Sequence, residues 1–210
     1  MKRAGAFLVP EAETHQIAAL SAGGWQVERL QAALRQVGRF RLAVDGGAHV
    51  GSWTAALAAR FAVVHAFEPA ADAFACLAAN TGGLANVVRH PLGLGAEAGR
   101  MRLCVDDRWG AGNTGGRFLQ PGDDIAVVTL DSFALPALDF LKLDLEGMEP
   151  LALAGAELTL LRHRPVVLLE DKPRFAPRYG LRPHEAALRL RQLGAREIDR
   201  LGADHLFAWD

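Results

Sequence analysis

The chain has 210 residues, of which half are apolar and 22% are charged. Its 23 lysine and arginine residues nearly balance 24 aspartate and glutamate residues. The resulting net charge of −1 excludes a strong global attraction to nucleic acid or to an anionic membrane surface. Two separated cysteines do not make a disulfide framework, and no apolar run reaches the ~18 residues of a membrane-spanning helix. These properties predict a single domain in the cytoplasm.

The first 40 residues are predicted to form an N-terminal helical segment that packs on the core. Apolar residues between positions 11 and 37 recur at near-helical spacing, and Gly23 and Gly24 interrupt them. Gly38 suits the C-cap of the second helical part. Residues 41–210 are predicted to form the main part of the same domain.

From residue 41 onwards, apolar runs typical of strands alternate with helical patterns. The strands are predicted at residues 41–44, 62–67, 86–93, 101–105, 125–130, 138–147 and 164–171. The helices are predicted at residues 52–61, 71–82, 149–160 and 184–194, and a hairpin-like pair of strands at 195–200 and 205–210. This order predicts an α/β fold with a mostly parallel sheet, helices on both faces and an antiparallel addition at one edge.

Ligands of parallel α/β sheets bind at the carboxyl ends of the strands, which directs attention to the residues that end them. The first predicted strand ends in Asp45 and a glycine-rich turn, Gly46-Gly47-Ala48-His49-Val50-Gly51. Glycines allow a ligand to approach the backbone, and the next helix offers free N–H groups. The second strand ends in Glu68-Pro69, 23 residues after Asp45, a spacing that suits an acid binding a ribose diol.

The segment FLKLDLEG at residues 140–147 has an unusual distribution of charge. In a strand its leucines would face one way, and Lys142, Asp144 and Glu146 would face the other. Three charges on one face of a buried strand are costly unless they are paired or functional. The segment is therefore either an edge strand with a solvated face, or a strand that ends in two functional acids. In the second case Lys142 lies deeper, as an ion-pair partner.

Together these motifs resemble the FkbM-type branch of class I S-adenosylmethionine-dependent methyltransferases. The motifs are DGGAHVG, AFEP, VTLD, KLDLEGME, the glycine of LALAGA and RPVVLLE, which span the chain from about Trp25 to its end. The first two are common to class I methyltransferases, whereas KLDLEGME with VTLD upstream indicates this branch. The resemblance implies a Rossmann-like, seven-stranded, mostly parallel sheet with the last strand antiparallel. It also implies S-adenosylmethionine lying over the first two strand ends of a domain at residues 41–210.

The resemblance assigns roles to individual residues. The cofactor would be bound by Asp45, Gly46, Gly47, Ala48, His49, Gly51, Glu68, Pro69 and Asp144. Among these, Asp45 would lie near the methionine moiety or the ribose, and Glu68 would bind the ribose diol. Backbone groups at residues 92–94 would lie near adenine. Asp144 and Glu146 are the expected catalytic residues, with contributions from Glu149 and Glu170.

Two positions depart from the family pattern. His49 replaces the asparagine that is common in the glycine turn, and a histidine there could titrate near pH 6–7. Asp171-Lys172 follows Glu170, where the family often has a histidine nearby. A divalent cation bound by the acids at 144, 146, 170 and 171 is an alternative. The favoured interpretation is an acidic cluster balanced by Lys142 and arginines, with no metal.

The implied reaction is O-methylation of a hydroxyl on a sugar, glycan or natural product. A small-molecule or glycan acceptor is therefore the expected partner, with no stable nucleic-acid or membrane partner. Two alternatives stay open: an NAD(P)-dependent oxidoreductase, from the loose Gly46-x-Ala48-x-x-Gly51 pattern, and a non-catalytic methyltransferase-like binding module. The sequence does not indicate an oligomeric state.

Two further features each allow two interpretations. The glycine-rich loop at residues 110–116 is either a lid over the acceptor, with Trp109, Asn113 and Thr114 as contacts, or a flexible hairpin tip. Trp25 either lines the mouth of the active site or packs inside the helical segment. The sequence alone favours neither interpretation of the loop.

Overall fold

The computed structural model describes residues 1–23, 25–106, 108, 110 and 112–210. The α-helices in these ranges are α1 (Ile17–Ser21), α2 (Val27–Leu34), α3 (Ser52–Ala58), α4 (Ala71–Thr81), α5 (Glu149–Ala154), α6 (Glu157–His163) and α7 (Glu185–Gln192). The strands are β1 (Lys2–Ala4), β2 (Phe7–Val9), β3 (Leu42–Gly46), β4 (Val63–Phe67), β5 (Val87–His90), β6 (Gly93–Leu94), β7 (Gly99–Cys104), β8 (Phe118–Pro121), β9 (Ile125–Val128), β10 (Phe140–Leu143), β11 (Val166–Glu170), β12 (Arg196–Leu201) and β13 (Asp204–Ala208). In the described part of the chain, every helix is too short or too polar to cross a membrane.

The main sheet has seven strands in the order β12-β13-β11-β10-β3-β4-β5. Strands β11, β10, β3, β4 and β5 pair in parallel, whereas β13 is antiparallel to both β11 and β12. The predicted α/β class and the mostly parallel, mixed sheet are therefore confirmed, and the last strand is the antiparallel one. The carboxyl ends of β3, β4, β10 and β11 meet at one edge of this sheet.

The sheet is covered on both faces, because successive residues of its buried strands point to opposite sides. Leu141 and Leu143 pack in one cluster with residues of α5, α6 and α7. Phe140 packs in the other cluster, with residues of α2, α3 and α4. All five residues of β3 are buried. Strands buried on both faces explain the nearly continuous apolar runs in the sequence.

The N-terminal segment is only partly helical, which corrects the prediction for residues 1–40. An antiparallel hairpin of β1 and β2 comes before the two short helices. The hairpin is fixed to α4 by Asn80, whose side chain accepts from Leu8 N at 2.8 Å and donates to Leu8 O at 2.8 Å. Gly23 lies between α1 and α2 with φ +116°, whereas Gly24 lies outside the described residues. The division at residue 40 stays a prediction.

A second, four-stranded sheet with the order β6-β9-β7-β8 was not predicted. The predicted strand at 86–93 divides into β5, in the main sheet, and β6, in the second one. Pro91 lies between them, where it lacks the N–H group that would continue the ladder. The predicted helix at 149–160 also divides, into α5 and α6, and Gly155 lies between them. A Cβ atom at residue 155 would lie 2.1 Å from Gly95 O, so this close approach requires glycine there. The carboxyl end of β6 therefore packs directly against the α5–α6 junction.

The charged segment after residue 140 is not an edge strand, so that alternative is wrong. Strand β10 is central and entirely buried, between β3 and β11. It ends at Leu143, and the chain then turns through Glu146 at φ +54° and Gly147 at φ +109°. Asp144 and Glu146 therefore lie on a turn at the end of the sheet rather than on a strand face.

Candidate active site

The glycine turn after β3 brings the strand ends together. Gly47 has φ +77°, a conformation that favours glycine, and a Cβ atom there would lie 1.9 Å from Asp144 O. The N–H groups of Gly47 and Ala48 both donate to Phe67 O, at 3.0 and 2.9 Å. The turn is thus bound to the end of β4 and packed against the turn after β10. As a result, Glu68 and Asp144 border the same space.

This space is a cleft at the carboxyl edge of the sheet, where α/β folds of this kind bind their ligands. The predicted cofactor and catalytic residues that line it are Gly47, Ala48, His49, Glu68, Pro69, Asp144 and Glu146. Residues 92–94 also line it, as the family resemblance implies. The N-terminal segment contributes Gln16, Trp25 and Gln26, so Trp25 does lie at the cleft. The second sheet and its loop contribute Leu103, Thr114, Gly115, Arg117, Phe118 and Leu119.

Three predicted cofactor-contacting residues, Asp45, Gly46 and Gly51, lie behind the wall of the cleft. Asp45 is fully buried and accepts hydrogen bonds from Thr54 Oγ1 at 2.7 Å and Lys142 Nζ at 3.1 Å. Its expected place near the methionine moiety or the ribose stays a prediction. Gly46 is packed against the Leu143 side chain, and Gly51 has φ +86° with its Cα facing the side chain of Leu77. These residues shape the turn from behind.

Lys142 is the deep ion-pair partner that the sequence predicted. Besides its bond to Asp45, its Nζ donates to Gly47 O at 3.0 Å. Burial opposes the lysine charge, but the carboxylates of Asp45 and Asp144 hold the pKa of Lys142 above its ordinary value. The Lys142 ammonium thus links β10 to the glycine turn and places a positive charge close to Asp144.

Glu68 is 7% exposed and lines the cleft from the end of β4. Its Oε1 accepts from Ala70 N and its Oε2 accepts from His49 N, both at 2.8 Å. Burial raises the pKa of Glu68 to about 7. Each carboxylate oxygen has a second lone pair beyond the one that the backbone uses. The side chain is held in one orientation, and binding of a ribose diol there stays a prediction.

His49 does not titrate as the sequence predicted. Burial lowers its pKa to about 4, so the expected titration near pH 6–7 is wrong. Its Nε2 lies 2.8 Å from Thr114 Oγ1, and its Nδ1 lies 3.2 Å from Gln16 Oε1. His49 therefore links the glycine turn to the N-terminal segment and to the loop before β8.

Glu13 was missed by the sequence analysis, although it organises this side of the cleft. Its fully buried carboxylate accepts from His15 N at 2.6 Å, Gln16 N at 2.8 Å and Thr114 N at 3.0 Å, and from the Thr114 hydroxyl. Burial opposes its charge, yet these hydrogen bonds hold the pKa of Glu13 below its ordinary value. No pattern around residue 13 distinguishes it, because its main partner is 101 residues away.

The loop before β8 is anchored at its second half. Residues Thr114–Gly116 form a 3₁₀ turn, capped by the Asn113 side chain, which accepts from Gly116 N at 3.1 Å. Thr114 lines the cleft, which favours the functional interpretation of this part over a flexible hairpin tip. Trp109, named as an acceptor contact, lies outside the described residues. The role of the loop as a lid stays a prediction.

Three acids meet beyond the glycine turn. Carboxylate oxygens of Asp144, Glu146 and Glu170 lie within 4.8 Å of one another. Lys172 Nζ lies 2.9 Å from Glu146 Oε1 and 2.6 Å from Glu170 Oε2. Asp171, the fourth acid considered for a metal, instead pairs with His184 Nδ1 at 3.0 Å. The sequence predicted a balance by Lys142 and arginines, whereas the residue in contact with Glu146 and Glu170 is Lys172.

The pKa values of the three carboxyl groups are shifted in different directions. Burial, the charge of Asp144 and a hydrogen bond to it raise the pKa of Glu170 well above its ordinary value. Burial also opposes the charge of Asp144, but Lys142 and the hydrogen bond with Glu170 hold its pKa below the ordinary value. Burial and Asp144 raise the pKa of Glu146. These shifts keep Asp144 ionised at the cleft and favour the protonated form of Glu170 beside it.

Glu149 has a structural part in the site. Its Oε1 accepts from Leu145 N at 2.6 Å, and its Oε2 accepts from Gly147 N at 2.9 Å. These bonds close the turn that carries Asp144 and Glu146, and burial raises the pKa of Glu149 to about 8. The expected catalytic contribution of Glu149 is therefore indirect, through the shape of the turn.

The sheet order, the glycine turn and the acids at the strand ends define a Rossmann-like methyltransferase fold. The model of the methyltransferase FkbM domain matches residues 45–197, nearly three quarters of the chain. The chain therefore belongs to the FkbM methyltransferase family. No curated protein matches it.

Solved structures of low sequence identity share the fold. An FkbM methyltransferase from Methylobacillus flagellatus is 22% identical, with a TM-score of 0.54, over 80% of this chain and 43% of that one. The chain thus spans less than half of that protein. A precorrin-8w decarboxylase from Methanobacterium thermoautotrophicum is 16% identical over all of both chains, with a TM-score of 0.55. The N-methyltransferase NodS from Bradyrhizobium japonicum, in complex with S-adenosyl-L-homocysteine, is 12% identical over 94% of this chain and 92% of that one, with a TM-score of 0.50.

Proposed function

We propose that this protein transfers the methyl group of S-adenosylmethionine to a hydroxyl oxygen of a sugar, glycan or natural product. The observation that carries the proposal is the position of Asp144, an ionised carboxylate in the wall of the cleft that also contains Glu68 and the glycine turn. One cleft thus combines a cofactor cradle with a proton acceptor. Family membership supports methyl transfer as the reaction.

The residues of the cleft fit S-adenosylmethionine, and similar structures hold its product. Glu68 has free lone pairs for the ribose diol, and Gly47 allows the ligand to lie against the backbone. Residues 92–94 form the wall where adenine would lie. The carboxylates of Asp144 and Glu146 favour a positively charged group nearby. When bound, the cofactor supplies an electrophilic methyl group on a sulfonium centre.

Asp144 is the proposed general base. A hydroxyl is a weak nucleophile until its proton is removed, so a carboxylate within hydrogen-bond reach accelerates attack. The acceptor hydroxyl would donate to Asp144, which would take up its proton as the oxygen bonds to the methyl carbon and the methyl–sulfur bond breaks, with S-adenosylhomocysteine as the leaving group. Lys142 and Glu170 hold Asp144 ionised before the reaction. Glu146 is proposed to help orient the acceptor from the same turn.

The test is transfer of an isotope-labelled methyl group from S-adenosylmethionine to a panel of sugars, glycans and phenolic or aliphatic alcohols, read by mass spectrometry. Wild type is expected to label a hydroxyl. Asp144→Asn is expected to lose about 10²–10⁴-fold in kcat at saturating cofactor, and calorimetry measures any loss of cofactor affinity separately. Labelling of nitrogen alone would overturn O-methylation. Full activity of Asp144→Asn would overturn the role of Asp144.

The two alternative functions that the sequence left open predict different results in binding and transfer measurements. Binding of NADH in preference to S-adenosylmethionine would support an oxidoreductase. Cofactor binding without transfer to any acceptor would support a binding module. A cytoplasmic location and the absence of stable nucleic-acid or membrane partners are part of the proposal.

A further inference from the structure

One ammonium group lies among three converging carboxyl groups. Strands β10 and β11 are parallel neighbours, with Leu143 opposite Leu169, so the residues after both strands emerge side by side. Asp144 and Glu146 follow β10, and Glu170 ends β11. Two residues further on, Lys172 Nζ contacts Glu146 at 2.9 Å and Glu170 at 2.6 Å. Its side chain is 20% exposed, and its Nζ lies 5.5 Å from the centroid of the Phe175 ring.

The cluster needs this positive charge. Three carboxylates this close together, two of them buried, cannot all be ionised without a large cost in free energy. Two lysines, Lys142 and Lys172, lie close enough to offset this negative charge. Lys142 is held from behind by Asp45 and by Gly47 O. Lys172 is the lysine whose ammonium contacts the carboxyl groups of Glu146 and Glu170 directly.

The position of Lys172 is also where a cation would bind. The carboxylate oxygens of the three acids lie within 4.8 Å of one another, close enough to bind one ion together. Oxygen ligands of this kind suit Mg²⁺ or Ca²⁺, whose bonds to oxygen are about 2.0–2.6 Å long. An ammonium 2.6 and 2.9 Å from two of these groups would compete with such an ion for the same carboxylates. A metal ion and the lysine are therefore expected to exclude each other.

We propose that Lys172 is a positioning residue that replaces a divalent cation: its ammonium fills the Asp144–Glu146–Glu170 cluster, and methyl transfer proceeds without a metal. It holds Glu146 and Glu170 in place so that Asp144 faces the cleft. The statement about methyl transfer rests on the proposed function, whereas the statement about metal binding does not. Removing the ammonium should convert the cluster into a metal site.

The first experiment measures metal binding and needs no acceptor. MgCl₂ and, separately, MnCl₂ are titrated by calorimetry into wild type, Lys172→Met, Lys172→Arg and the double variant Lys172→Met/Glu146→Gln. Lys172→Met is expected to bind one ion at least about tenfold more tightly than wild type and Lys172→Arg. The double variant is expected to lose that gain. Thermal unfolding followed by circular dichroism verifies that each variant is folded.

Two results would overturn the inference. One is a wild type that binds one Mg²⁺ or Mn²⁺ as tightly as Lys172→Met does. The other is a folded Lys172→Met that binds neither ion. If Lys172→Met does not fold, Lys172→Gln takes its place, with the same expected results.

The second experiment measures activity after the metal has been removed. Wild type is expected to keep its rate in EDTA, and Lys172→Met is expected to lose about tenfold or more and to regain part of the loss with MgCl₂. The pH profile of kcat should shift in Lys172→Met and should be restored in Lys172→Arg. A wild type inactivated by EDTA and rescued by Mg²⁺ would contradict the inference. If no transfer is found for any acceptor, the proposed function fails, but the calorimetric result still decides the role of Lys172.

Discussion

The backbone of Gly47 lies directly against that of Asp144: a Cβ atom at residue 47 would be 1.9 Å from Asp144 O. This contact joins the turn that is proposed to hold the cofactor to the turn that carries the proposed base. Lys142 strengthens the same junction by donating to Gly47 O at 3.0 Å. The relative positions of cofactor and base are therefore set by backbone contact, which a side chain at residue 47 would break.

Gly47→Ala is expected to destabilise the protein and to abolish cofactor binding. The left-handed conformation alone costs of order 1–3 kcal/mol for a residue with a Cβ atom, and the close contact adds to that cost. Urea unfolding measures the loss, and calorimetry with S-adenosylmethionine measures binding. Gly83→Ala is the control, since a Cβ atom there meets no described atom within 4 Å. A Gly47→Ala protein as stable as that control would contradict this account of the turn.

Lys142→Met is expected to reduce the free energy of unfolding by about 3–5 kcal/mol, because it leaves the buried carboxylate of Asp45 without its partner. Urea unfolding tests this. Lys2→Met, a lysine change in the N-terminal hairpin, is the matched control. Adding Asp45→Asn to Lys142→Met should restore part of the lost stability, since it removes the unpaired charge. An additive double variant would show that the two residues are not coupled.

Glu68 should make stability depend on pH. Its pKa is about 7 in the folded protein and near 4.5 in an unfolded chain. Below about pH 4.5 both states hold the proton, so the contribution is fully present there, and it is lost as the pH rises through 7. Glu149, with a pKa of about 8, acts in the same direction.

Urea unfolding at a series of pH values from 5 to 8 tests this, with Glu68→Gln as the variant and Glu97→Gln, at an exposed position, as the control. Wild type and Glu97→Gln should lose more stability across this range than Glu68→Gln does. Equal slopes in all three proteins would show that Glu68 has an ordinary pKa.

Much of the site follows from local sequence patterns. Glu68 and Asp144 were both predicted to lie at strand ends, where parallel α/β sheets bind their ligands. The cleft confirms that both line the same space. Lys142 was predicted as a deep ion-pair partner because a charge inside an apolar strand needs one, and Asp45 is that partner. In these cases the spacing along the chain determines the position in space.

Other features depend on contacts that no local pattern records. The hydrogen bonds between Glu13 and Thr114 span 101 residues. The low pKa of His49 follows from burial of its ring. The residue type alone therefore predicted a titration near pH 6–7 that the structure does not support. Strands β1 and β2 have three residues each, too short for an alternating pattern to distinguish them. The family motif places Asp45 beside the cofactor, but it does not indicate that Thr54 and Lys142 donate to its side chain.

The most direct test of the account is calorimetric titration of S-adenosylmethionine into wild type and Glu68→Ala, with NADH titrated in parallel. The account predicts micromolar binding of S-adenosylmethionine to wild type, weakened at least about tenfold in Glu68→Ala, and no heat from NADH. Wild type that binds NADH, or that does not bind S-adenosylmethionine while folded, would contradict it.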